Sequence, residues 1–282
     1  MATSEHAPPR IGISSCLLGE NVRHDGHHRR DPFLTETLGP LVVWEPVCPE
    51  LEVGMGVPRE TVRLEIHGSE TAMIAPRSGK DWTDPMKAFA RKRVQELKKK
   101  DLHGFIFKKD SPSCGMERVR VSVPGKKGAP GRTGRGLFAA VLMDHWPLLP
   151  VEEEGRLNDP RLRENFIERV FGYKRWSDFS AGRRSARALE IFHRRHKFLL
   201  MAHSDAHLRR LGRLVAGAKR DIAETYRDYG KVFMEGLSVL STRKKQTNVL
   251  EHLQGFVSDH LDKNERGELT GLIKDYHRGL YP

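Results

Sequence analysis

Short apolar runs and one amphipathic stretch alternate along the first half of the chain, and long helical periods without strands fill the second. Arg10–Ser15 (RIGISS), Leu41–Val47 (LVVWEPV) and Gly104–Phe107 (GFIF) are rich in β-branched or aromatic residues and predict three strands. Between the second and third, Met86, Phe89, Ala90, Val94 and Leu97 fall on one helical face. Asp84 can cap that helix, Pro85 suits its first turn, and Lys98–Lys100 complement the dipole at its end. Gly136–Met143 (GLFAAVLM) fits a helix or a buried strand, since periodicity does not separate the two.

Beyond Pro150, Ile222, Tyr226, Tyr229, Phe233, Leu237 and Leu240 recur at helical spacing, as do Val249, Leu250, Leu253, Phe256 and Leu261. The expected architecture is a Rossmann-like α/β domain with a mostly parallel sheet over residues 10–150, then an all-α helical bundle over 155–282. Glu152–Pro160 (EEEGRLNDP) is the expected linker. The glycine-rich stretch Gly125–Gly136 lacks phosphate-loop spacing and is expected to be a mobile basic loop.

The 282 residues are 38% apolar and 30% charged, with no apolar run long enough for a membrane-spanning helix. The polar first ten residues lack the apolar core of a secretory signal, so a cytoplasmic location is expected. Lysine and arginine exceed aspartate and glutamate by 49 to 37, and the excess of +12 is spread over both halves. That balance fits a polyanionic partner such as RNA, or simply a basic soluble protein.

Three cysteines carry the chemistry. Cys16, Cys48 and Cys114 each follow a predicted strand, which places them at one edge of one sheet, where α/β proteins gather their ligands. Three lone cysteines can also be buried small hydrophobes. If they converge, soft thiolates select zinc, copper(I) or an iron-sulfur cluster. A zinc site would need a fourth ligand, with His24, His27 and His28 nearest in sequence; a four-iron cluster on three cysteines leaves one iron open as a Lewis acid. Composition does not decide among these. Glu50, two residues after Cys48, can reach the same edge, although by spacing alone it reads first as an exposed loop or helix-cap glutamate.

The segments SSCLLGENVRHDG (Ser14–Gly26), PVCPE (Pro46–Glu50), GVPR (Gly56–Arg59), KKDSPSCG (Lys108–Gly115) and GLFAA (Gly136–Ala140) resemble, in order, the thiouracil desulfidase family. The resemblance implies that Cys16, Cys48 and Cys114 hold a 4Fe-4S cluster and that sulfur is removed from a thiocarbonyl of a pyrimidine. That reaction needs a base for the attacking water, for which Glu50 is the candidate and Glu45 the competitor, and the resemblance implies Ser111 as the catalytic or substrate-orienting hydroxyl. Ser15, Arg23, Asp25, Arg59 and Ser113 are candidate substrate-pocket residues, Ser113 alternatively bonding a cluster sulfur. His24 departs from the tyrosine common in the family. Residues from about 155 resemble a helical domain often fused to that family, an arrangement associated with desulfidation of 4-thiouridine in tRNA. Arg183, Arg187 and Arg194 on one helical face, and Arg209, Arg210 and Arg213 on another, are then expected to meet RNA phosphates, or to be merely solvated. The expected partners are tRNA and a thiolated pyrimidine, with no membrane or protein partner. Desulfidation of free thiouracil, or a non-enzymatic RNA-binding or redox-sensing role, are the alternatives.

Overall fold

A computed structural model describes residues 7–68, 70–125 and 131–281. The chain forms two compact units divided between Lys174 and Arg175. The first runs through β1 (Arg10–Ser14), β2 (Val43–Val47), α1 (Pro49–Glu52), β3 (Arg63–His67), β4 (Glu70–Ile74) and α2 (Thr83–Lys98). It continues through β5 (Gly104–Phe107), β6 (Val119–Ser122), β7 (Gly131–Gly134), α3 (Leu137–His145) and β8 (Val151–Glu153) into α4 (Pro160–Ala181), within which the boundary falls.

A parallel sheet ordered β2-β1-β5-β8 carries the core. Both faces of its central strands are covered, which is why β1 and β5 read as apolar runs rather than alternations. Ile11, Ile13 and Ile106 face Leu34, Leu38, Phe166 and Val170, whereas Phe105 and Phe107 face α2 and α3 through Met86, Ala90, Val94, Phe138 and Leu142. The ambiguous Gly136–Met143 segment is helical. α2 begins two residues earlier than a cap at Asp84 would give, with Trp82 as its N-cap: the Thr83 N–H donates to Asp81 Oδ1 at 2.8 Å, and Thr83 Oγ1 accepts from the Met73 N–H, tying the helix to β4.

Two expectations are corrected. A second, mixed sheet ordered β4-β3-β6-β7 stands beside the parallel one, built from strands of four or five residues. Its β7 takes up Gly131–Gly134 of the expected mobile loop; residues 126–130 lie outside the described residues. The expected linker contributes instead to the core, because β8 pairs with β5 and buries Glu152 and Glu153. Those carboxylates are satisfied by the Arg156 guanidinium and the Met116 N–H.

The second unit holds the end of α4, then α5 (Ala186–Arg195), α6 (Lys197–His203), α7 (Asp205–Gly217), α8 (Ile222–Ser238), α9 (Arg243–Val257) and α10 (Lys263–Arg278). Ser185, Ser204, Asp221, Thr242 and Asp262 cap α5, α7, α8, α9 and α10, each side-chain oxygen accepting a backbone N–H of the first turn. Trp176, Phe192, Tyr226, Tyr229 and Phe233 form its aromatic core, with Trp176 stacked on Tyr229 at 5.2 Å. Arg183 precedes α5 and does not share its face with Arg187 and Arg194. Leu253 and Phe256, expected on a core stripe, are exposed. Among the described residues no helix is long and apolar enough to cross a membrane.

Candidate functional site

Because β2, β1 and β5 are parallel neighbours, the chain leaving all three emerges at one edge and encloses a cavity of about 560 Å³. Cys16, Cys48 and Cys114 all line it. Cys16 sits in the short turn after β1, whose carbonyl accepts the Arg29 N–H at 2.8 Å. Cys48 is the N-cap residue of α1, followed by Pro49, and its own N–H donates to Glu52 Oε1 at 2.9 Å. Cys114 is held by the Asp110–Gly115 turn, which docks on the start of α3: the Leu137 and Phe138 N–H groups donate to the Pro112 and Ser113 carbonyls at 3.0 Å.

That docking leaves no room for a side chain at Gly136, where a Cβ would stand 2.5 Å from the Ser113 carbonyl and 2.8 Å from the Cys114 nitrogen. Backbone atoms cannot swing aside. Gly136→Ala is therefore expected to cost about 1–3 kcal/mol, the range for overpacking a close-packed site. Chemical denaturation of the metal-free protein measures this, and an unchanged midpoint would show that the Cys114 turn is not packed as described.

Burial pushes all three thiols up: Cys16 to about 11, against an opposing pull from the Lys108 ammonium, with Cys48 and Cys114 raised for the same reason. Among the described residues the three sulfurs do not all lie within 4.8 Å of one another. One tetrahedral zinc ion would draw thiolates to about 3.8 Å apart, from Zn–S bonds of about 2.3 Å. The donor set, three soft sulfurs on separate loops and spread beyond that distance, fits a polynuclear centre better than a single zinc.

Glu50 enters the cavity from α1 and is fixed at both oxygens. Its Oε2 accepts from Arg59 Nε at 3.1 Å and Nη2 at 2.6 Å, while Arg59 Nη1 donates to the Val22 and Gly56 carbonyls. Its Oε1 accepts from Ser113 Oγ at 2.7 Å, with Ser111 Oγ at 3.4 Å. The two hydroxyls are 2.9 Å apart, and Ser113 Oγ lies 3.7 Å from Cys114 Sγ. Ser111 Oγ also accepts the Cys114 N–H at 3.1 Å. A carboxylate, two hydroxyls and a thiol thus form one hydrogen-bonded chain.

Ser15 and Arg23 also line the cavity, but Asp25 does not; it pairs with Arg23 at 3.4 Å from outside. Glu45 faces away from the cavity, bonded to Lys100 at 2.7 Å and Arg93 at 3.4 Å. In the second unit Arg187, Arg194, Arg209 and Arg213 are all exposed; Arg187 pairs with Glu190 and Arg209 with Asp205, whereas Arg194 and Arg213 have no acidic partner among the described residues. Among the charged lining residues that sequence reasoning missed are three beside the thiols or at the cavity wall. Lys108 and Glu154, at the ends of paired β5 and β8, form an ion pair beside Cys16, and Arg29 lines the cavity without an acidic partner among the described residues. Lys108 stands in a quoted segment, but nothing in the sequence joined it to Glu154.

A doubly covered parallel sheet with three thiols, a fixed carboxylate and two hydroxyls at its carboxyl edge defines an α/β protein with a thiol-lined reaction cavity. Comparison with known proteins narrows that class: residues 11–154 match the 2-thiouracil desulfurase family model, and the chain belongs to this family. Residues 197–282 match a family described as a protein of unknown function, DUF1722. The chain is 30% identical over 128 residues to the uncharacterized protein YbgA of Escherichia coli K12, covering 45% of this chain and 76% of that protein. It is 33% identical over 158 residues to the uncharacterized protein YbbK of Bacillus subtilis 168, covering 53% of this chain and 98% of the relative. A solved structure of TudS, a 4Fe-4S-dependent thiouracil desulfidase, is similar at 26% identity and a TM-score of 0.45, over 55% of this chain and 97% of that one.

Proposed function

We propose that the first unit removes sulfur from 4-thiouridine in tRNA, returning uridine, and that the helical unit holds the RNA. The observation that carries the chemistry is the hydrogen-bonded chain from Glu50 through Ser113 and Ser111 to the Cys114 turn, in a cavity lined by three thiols. Cys16, Cys48 and Cys114 would hold a 4Fe-4S cluster, the assignment their donor chemistry and spread support. When bound, such a cluster supplies an iron without a protein ligand, which attracts sulfur.

Replacing sulfur by oxygen requires water to add to the thiocarbonyl carbon, lose its protons, and the sulfur to leave as sulfide. Glu50 Oε1 takes the first proton: it keeps a lone pair free beyond the Ser113 bond, and the Arg59 clamp on Oε2 aims it. The Ser111 and Ser113 hydroxyls can turn to donate to the base or relay a proton, because both share the Glu50 oxygen. Arg29 and Lys109, which line the cavity without acidic side-chain partners among the described residues, suit the phosphates flanking the base.

The reading of RNA rests on the helical unit, where residues 175–282 carry 21 lysines and arginines against 13 acids. Binding of tRNA should weaken steeply with salt, by about 0.7 in log–log slope for each single-strand phosphate neutralised. Arg194→Glu with Arg213→Glu should flatten that slope and slow turnover of thiolated tRNA, leaving free 4-thiouracil turnover unchanged. The matched pair Arg187→Glu with Arg209→Glu, which removes cations already paired to acids, should do less. Equal loss on both substrates would overturn the division of labour between the units.

A further inference from the structure

Resting on that reading of RNA as the partner, we infer that Phe198, His252 and Phe256 form a stacking platform for one unpaired base, flanked by Arg194, Arg195 and Lys197. Phe256 is 69% exposed near the end of α9, an unusual place for a large aromatic ring. It meets Phe198 of α6 edge to face at 5.9 Å, and His252, one turn earlier on α9, lies 6.5 Å from the same Phe198 ring. The Lys197 ammonium sits 5.7 Å from the Phe198 ring centre. Leu253 and Val257 extend the apolar surface, at 41% and 42% exposure.

Charge selects the occupant. Arg194, Arg195 and Lys197 are exposed and have no acidic partner among the described residues. Glu251, the acid in α9, is five residues before Phe256 and so lies about 140° round the helix from it, and Asp259 follows in the turn beyond the end of α9, leaving the cations in excess. An aromatic surface edged by unpaired cations matches single-stranded nucleic acid, in which every base offers a π-face and the phosphates alternate with the bases. A second copy of the chain fits less well, since two-fold contact would set these cations against themselves. The platform accepts any unstacked base, so it holds RNA without reading its sequence.

The test uses the full chain, an unmodified tRNA transcript and a short oligouridylate, with affinities measured by fluorescence anisotropy at several salt concentrations. Phe256→Ser should weaken oligouridylate binding about tenfold and leave the salt slope unchanged, because stacking releases no counterions. Phe256→Trp should restore binding, and Lys197→Glu should flatten the slope. Turnover of free 4-thiouracil should be unaffected by all three. Wild-type affinity in Phe256→Ser, while the wild-type protein binds RNA, would overturn the platform alone. A failure of the wild-type protein to bind either RNA would overturn the RNA reading itself. Unchanged RNA binding with an altered sedimentation coefficient in Phe256→Ser would assign the face to self-association instead.

Discussion

Replacing any one of Cys16, Cys48 and Cys114 by serine should abolish iron retention and desulfidation together, while the protein still folds. Each thiol comes from a different strand end, so no neighbouring side chain can take the place of a lost one. Serine keeps the size but offers a hard, weakly acidic hydroxyl where a soft thiolate is needed. The fold should tolerate the change, because the three thiols are free and each contributes only a small buried surface. Anaerobic reconstitution of the wild-type protein should give about four irons per chain and broad visible absorption. A serine variant with normal iron content and activity would remove that cysteine from the ligand set. Zinc without iron after the same anaerobic treatment would favour a structural or redox-sensing role.

The second large effect separates chemistry from iron binding. Glu50→Gln should keep the iron and the fold yet slow turnover by about 10²–10⁴-fold, the usual contribution of a positioned general base. Glutamine is the informative choice, since its amide oxygen can still accept from the buried Arg59 guanidinium, whereas alanine removes that acceptor as well as the charge. Ser111→Ala should likewise retain iron and lose turnover. Because Ser113 makes the shorter bond to Glu50, Ser113→Ala should lose at least as much. Comparing kcat with KM distinguishes the roles: a proton-transfer defect lowers kcat, whereas a pure binding defect raises KM. Wild-type kcat in Glu50→Gln would contradict the role assigned to this carboxylate.

The sequence disclosed the parts of the site that depend on local order. The apolar run before Cys16 and GFIF before the Cys114 turn are strands buried on both faces, the run before Cys48 is a half-buried edge strand with Pro46 exposed, and short runs of that kind are readable without knowing their partners. α2 was readable because Met86, Ala90, Val94 and Leu97 repeat on one face and are all fully buried. The second sheet was not, although RLEIH and VRVS alternate as strands do, because runs of four or five residues gain their stability from partners distant in sequence. Glu152 and Glu153 read as a polar linker for the same reason: the groups that let them be buried, Arg156 and the Met116 N–H, are revealed only by the fold. Within the site, Glu50 was singled out by the resemblance of PVCPE to the family, since its spacing to Cys48 alone fits a loop or helix-cap acid equally. The clamp by Arg59 and the ion pair between Lys108 and Glu154 were not, since each joins loops that only the sheet order brings together.

The most direct measurement of the central claim follows the fate of sulfur. Anaerobic, iron-loaded wild-type protein is incubated with tRNA carrying 4-thiouridine and, separately, with free 4-thiouracil, and both uridine or uracil formed and sulfide released are quantified. The expected result is one sulfide for each uridine from the tRNA, at a rate well above that on the free base, and none from the metal-free protein. Turnover of free 4-thiouracil with thiolated tRNA left intact would replace the RNA substrate by the small molecule, and no sulfide from either would contradict desulfidation itself.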